Sequence, residues 1–135
     1  RGKITKIGAF NTDFSDDVQI TSSDYPNIQS IESEAFFSFP NKITISGQFD
    51  ELKIIGLHAF LQAGNSDSAI TFTTGLPKLS WIQYGAFQSF KGQITIAGDY
   101  PSLETIGVDA FTANDRLNVT STTTIFQPFI NSMGS

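Results

Sequence analysis

The stretch from Ile94 to Phe111, ITIAGDYPSLETIGVDAF, decides the fold, because its pattern occurs five times in the chain. Each copy ends in Ala-Phe, and an Ile precedes each Ala-Phe pair by two or four residues. The steps between these isoleucines are 24, 24, 27 and 24 residues. Self-similarity at a regular period of this length is typical of repeat proteins whose units stack into a solenoid. The five isoleucines are Ile7, Ile31, Ile55, Ile82 and Ile106.

Within one copy, the pattern predicts two short strands and one tight helical turn. The alternation Ile94-Thr95-Ile96 places two side chains on one face and one on the other, as in a strand. Gly98 and Pro101 then end that strand in a turn. Leu103 and Ile106 return to the interior, and 107–111 is expected to form a single helical turn that buries Ala-Phe. The fold class predicted is a mostly β repeat solenoid of about five coils, each 24–27 residues long.

Stacking of the coils is required because no single copy can bury its own apolar side chains. Neighbouring strands lie roughly 4.7–4.9 Å apart, so stacked coils form one continuous core. The recurring phenylalanines are expected to form an aromatic column along it: Phe10, Phe36, Phe60, Phe87 and Phe111. The solenoid is predicted over residues 1–124, with copies at about 4–27, 28–51, 52–78, 79–102 and 103–124, followed by a separate segment at 125–135.

The repeat resembles the leucine-rich repeats of the BspA-like, or Treponema-type, family, whose units run L-x-x-I-x-x-x-A-F and continue into a second short strand. Leu52-x-x-Ile55-Gly56-x-x-Ala59-Phe60 matches this pattern closely, and so does the copy from Leu103 to Phe111. The chain departs from the family at the positions that follow Ala-Phe and in the shorter first copy. The resemblance implies a secreted or cell-surface protein that adheres to proteins or cells, and it implies no catalytic residues.

Charge and composition exclude several classes of function. The formal net charge is −5 and no cluster of Lys and Arg occurs, which argues against nucleic acid or an anionic membrane as the partner. No apolar stretch approaches the roughly 18–20 residues that a membrane helix needs. The chain has no cysteine, so it has no disulfides, cysteine-ligated metal or thiol nucleophile.

A search for catalytic or metal-binding groups finds little, and the chain is predicted not to be an enzyme and to bind no cofactor. The one histidine, His58, falls in a variable polar column of the repeat and is interpreted as exposed. The adjacent carboxylates Glu32/Glu34 and Asp50/Glu51 fall on solvated positions. The loop 11–17 has oxygen-bearing side chains at alternate positions, as a calcium loop would, but lacks its Gly and Glu; an ordinary polar loop explains it better.

The second strand of each copy predicts a polar face that could bind a ligand. Its outward positions are expected to stack into two columns of small hydroxyl side chains, which resemble ice-binding faces and are also common on exposed solenoid strands. The outward pairs are Gln19/Thr21, Thr44/Ser46, Thr71/Thr73, Thr95/Ala97 and Asn118/Thr120. The candidate binding residues on this face are Thr44, Ser46, Thr71, Thr73 and Thr95.

The position before each anchoring Ile offers a second candidate surface. It is occupied by Ile54 and Trp81 in two adjacent copies. If this position faces outward, the two side chains form an exposed apolar pair suited to a partner protein. The competing interpretation, that both side chains enter the core, is left open.

The C-terminal segment and one sequon complete the candidate sites. The segment 125–130 is apolar and lies outside the repeat, so it caps the last coil or docks onto the first coil of another subunit, which would build a head-to-tail filament. Asn118-Val119-Thr120 is an N-glycosylation sequon. The assembly candidates are Ile125, Phe126, Phe129 and Ile130.

These observations predict a non-enzymatic extracellular or cell-surface domain that binds a protein or a glycan. The main alternative is a structural subunit that stacks end to end into an extracellular filament, and a minor alternative is an ice-binding threonine face. The partners expected are therefore a protein or glycan ligand, or a second copy of the chain, with no nucleic acid and no membrane span.

Overall fold

The structure is a computed structural model that describes residues 3–8 and 16–134. The chain winds into a parallel β-solenoid in which each predicted copy contributes one strand to each of two sheets. The mostly β repeat solenoid expected from the pattern is therefore confirmed. The first sheet contains β1 (Lys6–Ile7), β3 (Ser30–Ile31), β5 (Ile54–Ile55), β7 (Trp81–Ile82) and β9 (Thr105–Ile106). The second contains β2 (Val18–Thr21), β4 (Ile43–Ser46), β6 (Ala69–Phe72), β8 (Gln93–Ile96) and β10 (Leu117–Val119).

The interior is built by side chains that alternate along the strands. In β8, Ile94 and Ile96 are buried while Gln93 is exposed, as the period of two in a strand requires. All strand pairs are parallel and join one coil to the next, so equivalent apolar residues stack directly on each other. One cluster of buried apolar residues therefore runs the length of the solenoid.

An aromatic column runs through the core, as the repeated Ala-Phe predicted. Neighbouring rings of Phe36, Phe60, Phe87 and Phe111 are stacked, with centroids 5.0, 5.2 and 5.3 Å apart and ring planes within 7° of parallel. Offset stacking of this kind adds to the free energy gained from burial alone. The first predicted member, Phe10, lies outside the described residues.

In coils two to five, the segment after the first-sheet strand is a run of overlapping turns rather than the expected helical turn. In coil two, the N–H groups of Ala35, Phe37 and Phe39 donate to carbonyls three residues earlier. Two residues of this segment, Glu34 and Ser38, have φ near +60°, which breaks any helix. This conformation turns every second N–H toward the next coil, so that the segment can bond to its neighbour along the solenoid axis.

The glycine that follows the anchoring Ile is explained by the close approach of neighbouring coils. A Cβ atom placed on Gly56 would lie 2.5 Å from the backbone nitrogen of Ser33. A Cβ atom on Gly107 would lie 2.5 Å from the backbone nitrogen of Tyr84. A larger residue at Gly56 or Gly107 would push the neighbouring coil away, so glycine is a packing requirement at these two positions, whereas coils two and four have Glu32 and Gln83 there.

The C-terminal segment covers part of the last coil. A short 3-10 turn (Thr124–Phe126) leads into the helix α1 (Gln127–Gly134), which contacts β10. Phe126 is fully buried and packs edge-to-face on Tyr100, with ring centroids 5.0 Å apart. In this structure the segment acts on its own chain and shields the apolar end of the solenoid.

Candidate functional site

The residues singled out for chemistry do not come together in the structure. In the part of the chain that is described, no group of three or more His, Asp and Glu side chains could hold a metal ion. His58 is half-buried, and its ring packs against the ring of Tyr84 with centroids 5.2 Å apart. Most of the loop considered for calcium, residues 11–15, lies outside the described residues. The prediction that the chain is not an enzyme stays a prediction.

The apolar pair predicted from the first sheet lies on the outer surface. Trp81 pairs in register with Ile54 of the preceding coil. The side chain of Trp81 is 44% exposed, while Ile54 is half-buried beside it. Both side chains point away from the core, because the buried residues of these strands are the isoleucines that follow them. The interpretation in which they enter the core is therefore excluded by the structure.

A second apolar column, which the sequence analysis missed, follows three residues later along the same coils. It contains Leu57, Tyr84 and Val108, which are 39%, 45% and 70% exposed. The three residues are in register, because the carbonyl of Tyr84 accepts the N–H of His58 and that of Val108 accepts the N–H of Gly85. The available signal was an apolar side chain at the second position after Ile in three consecutive copies.

The two columns form what we call the apolar patch, defined as Ile54, Leu57, Trp81, Tyr84 and Val108. Hydrogen bonds and ring contacts hold its backbone in place. The side chain of Gln83, between the two columns, accepts the N–H of Leu57 at 2.9 Å. His58 supports Tyr84 from the neighbouring coil. The patch is therefore a preformed surface on coils three to five.

The hydroxyl face of the second sheet differs from the expected double column. Ser46 pairs with Thr71, and Thr44 pairs with Ala69, so the first two coils are shifted by two residues relative to the predicted alignment. Thr73 follows the end of β6 and belongs to neither of the two columns. The structure therefore has one column with a hydroxyl in four successive coils. It consists of Thr21, Ser46, Thr71 and Thr95, followed by Asn118. The other outward column reads Gln19, Thr44, Ala69 and Gln93.

The shift has a physical cause that alternation alone does not reveal. A slip of two residues leaves every side chain on its original face, so the apolar pattern is satisfied in both alignments. Ser68, which lies opposite Ile43, selects the observed one. Its buried hydroxyl accepts the N–H of Ile43 at 2.9 Å, and its carbonyl accepts the N–H of Gln93. The regular threonine array that motivated the ice-binding alternative is therefore interrupted by Ala69 and Gln93.

The assembly candidates and the sequon lie at the C-terminal end. Phe126 is buried, and Phe129 packs edge-to-face on Phe111 with ring centroids 5.1 Å apart. Ile125 and Ile130 are partly buried against the same core. Asn118 is exposed at the middle of β10, beside Thr95 of the preceding coil.

The fold and the surface together define a parallel β-solenoid with a preformed apolar patch. Comparison with models of protein families, with curated proteins and with solved structures finds no match to this chain. The resemblance to BspA-like repeats stays a prediction. Among the residues described, none of the helices combines the length and the apolar character needed to cross a membrane.

Proposed function

We propose that this chain is a non-enzymatic binding module of an extracellular or cell-surface protein, and that it binds a partner protein through the apolar patch. The observation that carries the proposal is the exposure of Leu57, Trp81, Tyr84 and Val108 on one side of three adjacent coils. Isolated exposed apolar residues are ordinary, but contiguous ones on a soluble protein mark interaction sites. The cell-surface location rests on the resemblance to BspA-like repeats.

The composition of the patch favours a protein over a glycan. Trp and Tyr are the residues that most often contribute a large share of the binding free energy at protein interfaces. Here they are flanked by the aliphatic side chains of Ile54, Leu57 and Val108, which offer no hydrogen bonds to sugar hydroxyls. Because the patch is held by Gln83 and His58, little conformational entropy is lost when it is covered.

The single tryptophan of the chain makes the proposal directly testable. The chain is passed over a panel of immobilised extracellular proteins and glycans, and Trp81 fluorescence is followed with each ligand that binds. We expect a protein ligand to shift the Trp81 emission to shorter wavelength, because the indole leaves water. Trp81→Ala and Tyr84→Ala should each weaken that binding by about tenfold or more.

A matched control is Phe37→Ala, since Phe37 is also an exposed aromatic residue, at 41%, but lies outside the patch. This variant should bind like the original chain, and circular dichroism should show all three variants folded. Binding to glycans alone would favour the glycan interpretation instead. Binding that survives both patch variants would overturn the proposal.

A further inference from the structure

The turn segments of the solenoid bond to each other by a simple rule. In coils two to four, three N–H groups per coil, two residues apart, donate along the axis to carbonyls of the following coil. The donor–acceptor distances lie between 2.7 and 3.0 Å. In coil four, the donors are Gly85, Phe87 and Ser89, and the acceptors are Val108, Ala110 and Thr112.

Coil five has the same donors, and among the described residues no further coil follows to accept them. The equivalent residues are Asp109, Phe111 and Ala113. Asp109 and Ala113 have φ of 60° and 59°, which match the 60° of Gly85 and the 57° of Ser89. Because the backbone repeats, the three N–H groups point along the axis away from coil four. None of them has an acceptor within the described part of the chain.

These donors line a cleft of about 440 Å³ between the turn segment of coil five and the start of α1. Pro128 and Phe129 form the opposite wall, so the helix covers β10 and touches the turn segment at the ring of Phe111, while the backbone of the segment borders the cleft. Backbone N–H groups must find a partner, in the protein or in solvent. A row of three in one orientation is a recognition surface for carbonyl oxygens, as at an unpaired sheet edge.

The charge of the cleft indicates which polypeptide would fit it. The acidic residues Asp109 and Asp115 line it, and no Lys or Arg is among its described lining residues. The neighbouring Arg116 is engaged elsewhere, since its guanidinium donates to the carbonyl of Ser66 at 2.6 Å. The cleft therefore combines outward N–H donors with negative charge, and it complements a peptide with basic side chains.

We propose that this cleft binds a basic polypeptide segment through its backbone, with three carbonyl oxygens at alternate residues accepting the N–H groups of Asp109, Phe111 and Ala113. A whole second solenoid cannot take this place, because α1 stands where its second sheet would stack. A single segment needs only the space of the cleft, about 440 Å³. This site is separate from the apolar patch and does not depend on the function proposed for that patch.

Hydrogen exchange measured by NMR tests whether the three donors are free. In the chain without ligand, the amides of Asp109, Phe111 and Ala113 should exchange much faster than their matched counterparts in coil four. Those counterparts are Gly85, Phe87 and Ser89, which have the same conformation and a bonded partner. Equal protection of the two sets would overturn the proposal, because the donors would then be occupied.

A synthetic peptide tests the recognition. The sequence of 56–64, which places its alternate carbonyls over coil two in the structure, is flanked by two lysines at each end. Titration should shift the three coil-five amides and slow their exchange. A version flanked by glutamates should bind at least about tenfold more weakly. Absence of shifts at millimolar peptide, or shifts confined to other coils, would overturn the proposal.

Charge-reversal variants connect the binding to the cleft. Asp115→Lys should weaken binding of the lysine-flanked peptide by about tenfold. The control is Asp99→Lys, since Asp99 is also an exposed aspartate but does not line the cleft. Equal effects of the two variants would show only a general response to net charge and would overturn the assignment. Trp81→Ala should leave peptide binding unchanged, which separates this site from the proposed function.

Discussion

At the scale of single residues, the hydroxyl of Tyr100 stands out because it is buried without a hydrogen-bond partner. The ring packs edge-to-face on Phe126, and the side chain is 1% exposed. Removing a hydroxyl from water without a replacement partner destabilises a fold by about 1–3 kcal/mol. The ring fills an apolar contact with Phe126, so the hydroxyl is a local defect in that contact.

Tyr100→Phe is therefore expected to raise the free energy of unfolding by about 1 kcal/mol at neutral pH, since only the unpaired hydroxyl is lost. Urea unfolding of the two proteins measures the difference. A destabilised variant would show that the hydroxyl has a partner after all.

Burial also raises the pKa of the Tyr100 phenol above its usual value near 10. Below pH 10 the phenol is protonated in both states, and its contribution to stability does not vary. Above about pH 10 the unfolded chain loses this proton while the folded chain retains it, so stability should fall by up to about 1.4 kcal/mol per pH unit. Tyr100→Phe should remove this part of the alkaline loss. If both proteins lose stability in parallel above pH 10, the phenol is not its source.

At the scale of elements, the turn segments depend on residues in the left-handed conformation, with positive φ, which their residue types do not predict. Seven non-glycine residues in the described part of the chain have positive φ, and Gln62 at +55° is one of the most exposed. An L-residue in this conformation is strained by roughly 1–2 kcal/mol, which glycine avoids. The fold accepts the strain because five of these residues direct an N–H group to a carbonyl of the next coil, as Gln62 does to Gln88.

Gln62→Gly is accordingly expected to leave the protein as stable or to stabilise it by up to about 1 kcal/mol. The control is Gln29→Gly, an exposed glutamine outside the left-handed region, which should destabilise by roughly 0.5–1 kcal/mol. Thermal unfolding of the two variants measures both effects. The explanation is wrong if both glycines are equally costly.

Much of the element order could be predicted from alternation and from the period of the repeat, since apolar side chains at fixed spacing must meet in one core. The register of the second sheet could not be predicted in this way, because a slip of two residues keeps every side chain on the same face. The observed register is the one in which the hydroxyl of Ser68 accepts a single hydrogen bond from the N–H of Ile43. The left-handed residues of the turn segments could not be predicted either, because only Gly85 among the aligned residues Glu34, His58, Gly85 and Asp109 is a glycine, the residue type that indicates this conformation. In the candidate site, the position before the Ile identified Ile54 and Trp81, whereas Tyr84 was missed because the second position after the Ile was given no role.

At the scale of the whole molecule, the ends of the solenoid govern both stability and association. The last coil would expose apolar surface and unpaired strand edges without a cover. Phe126 and α1 supply that cover over β10. The head-to-tail filament considered from the sequence would require this segment to leave its own chain.

Phe126→Ala should lower the free energy of unfolding by about 3–5 kcal/mol, because a fully buried ring is replaced by a cavity. Loosening of the cover should also expose β10, so light scattering at increasing concentration should show particles larger than a single chain. Gln127→Ala, which changes an exposed neighbour, should alter stability by less than about 0.5 kcal/mol and remain monomeric. A monomeric, stable Phe126→Ala variant would mean that the segment is not the cover described.

The parallel pairing of strands between successive coils has a consequence for how such a chain can change over generations. Coils three and four each present to the following coil the same pattern of backbone donors and acceptors that they receive from the preceding one. A gene segment that encodes one coil could therefore be duplicated or deleted in frame, and the new junction would still match. Length is thus the property of this fold that is easiest to alter by recombination, while the terminal cover has to be inherited intact.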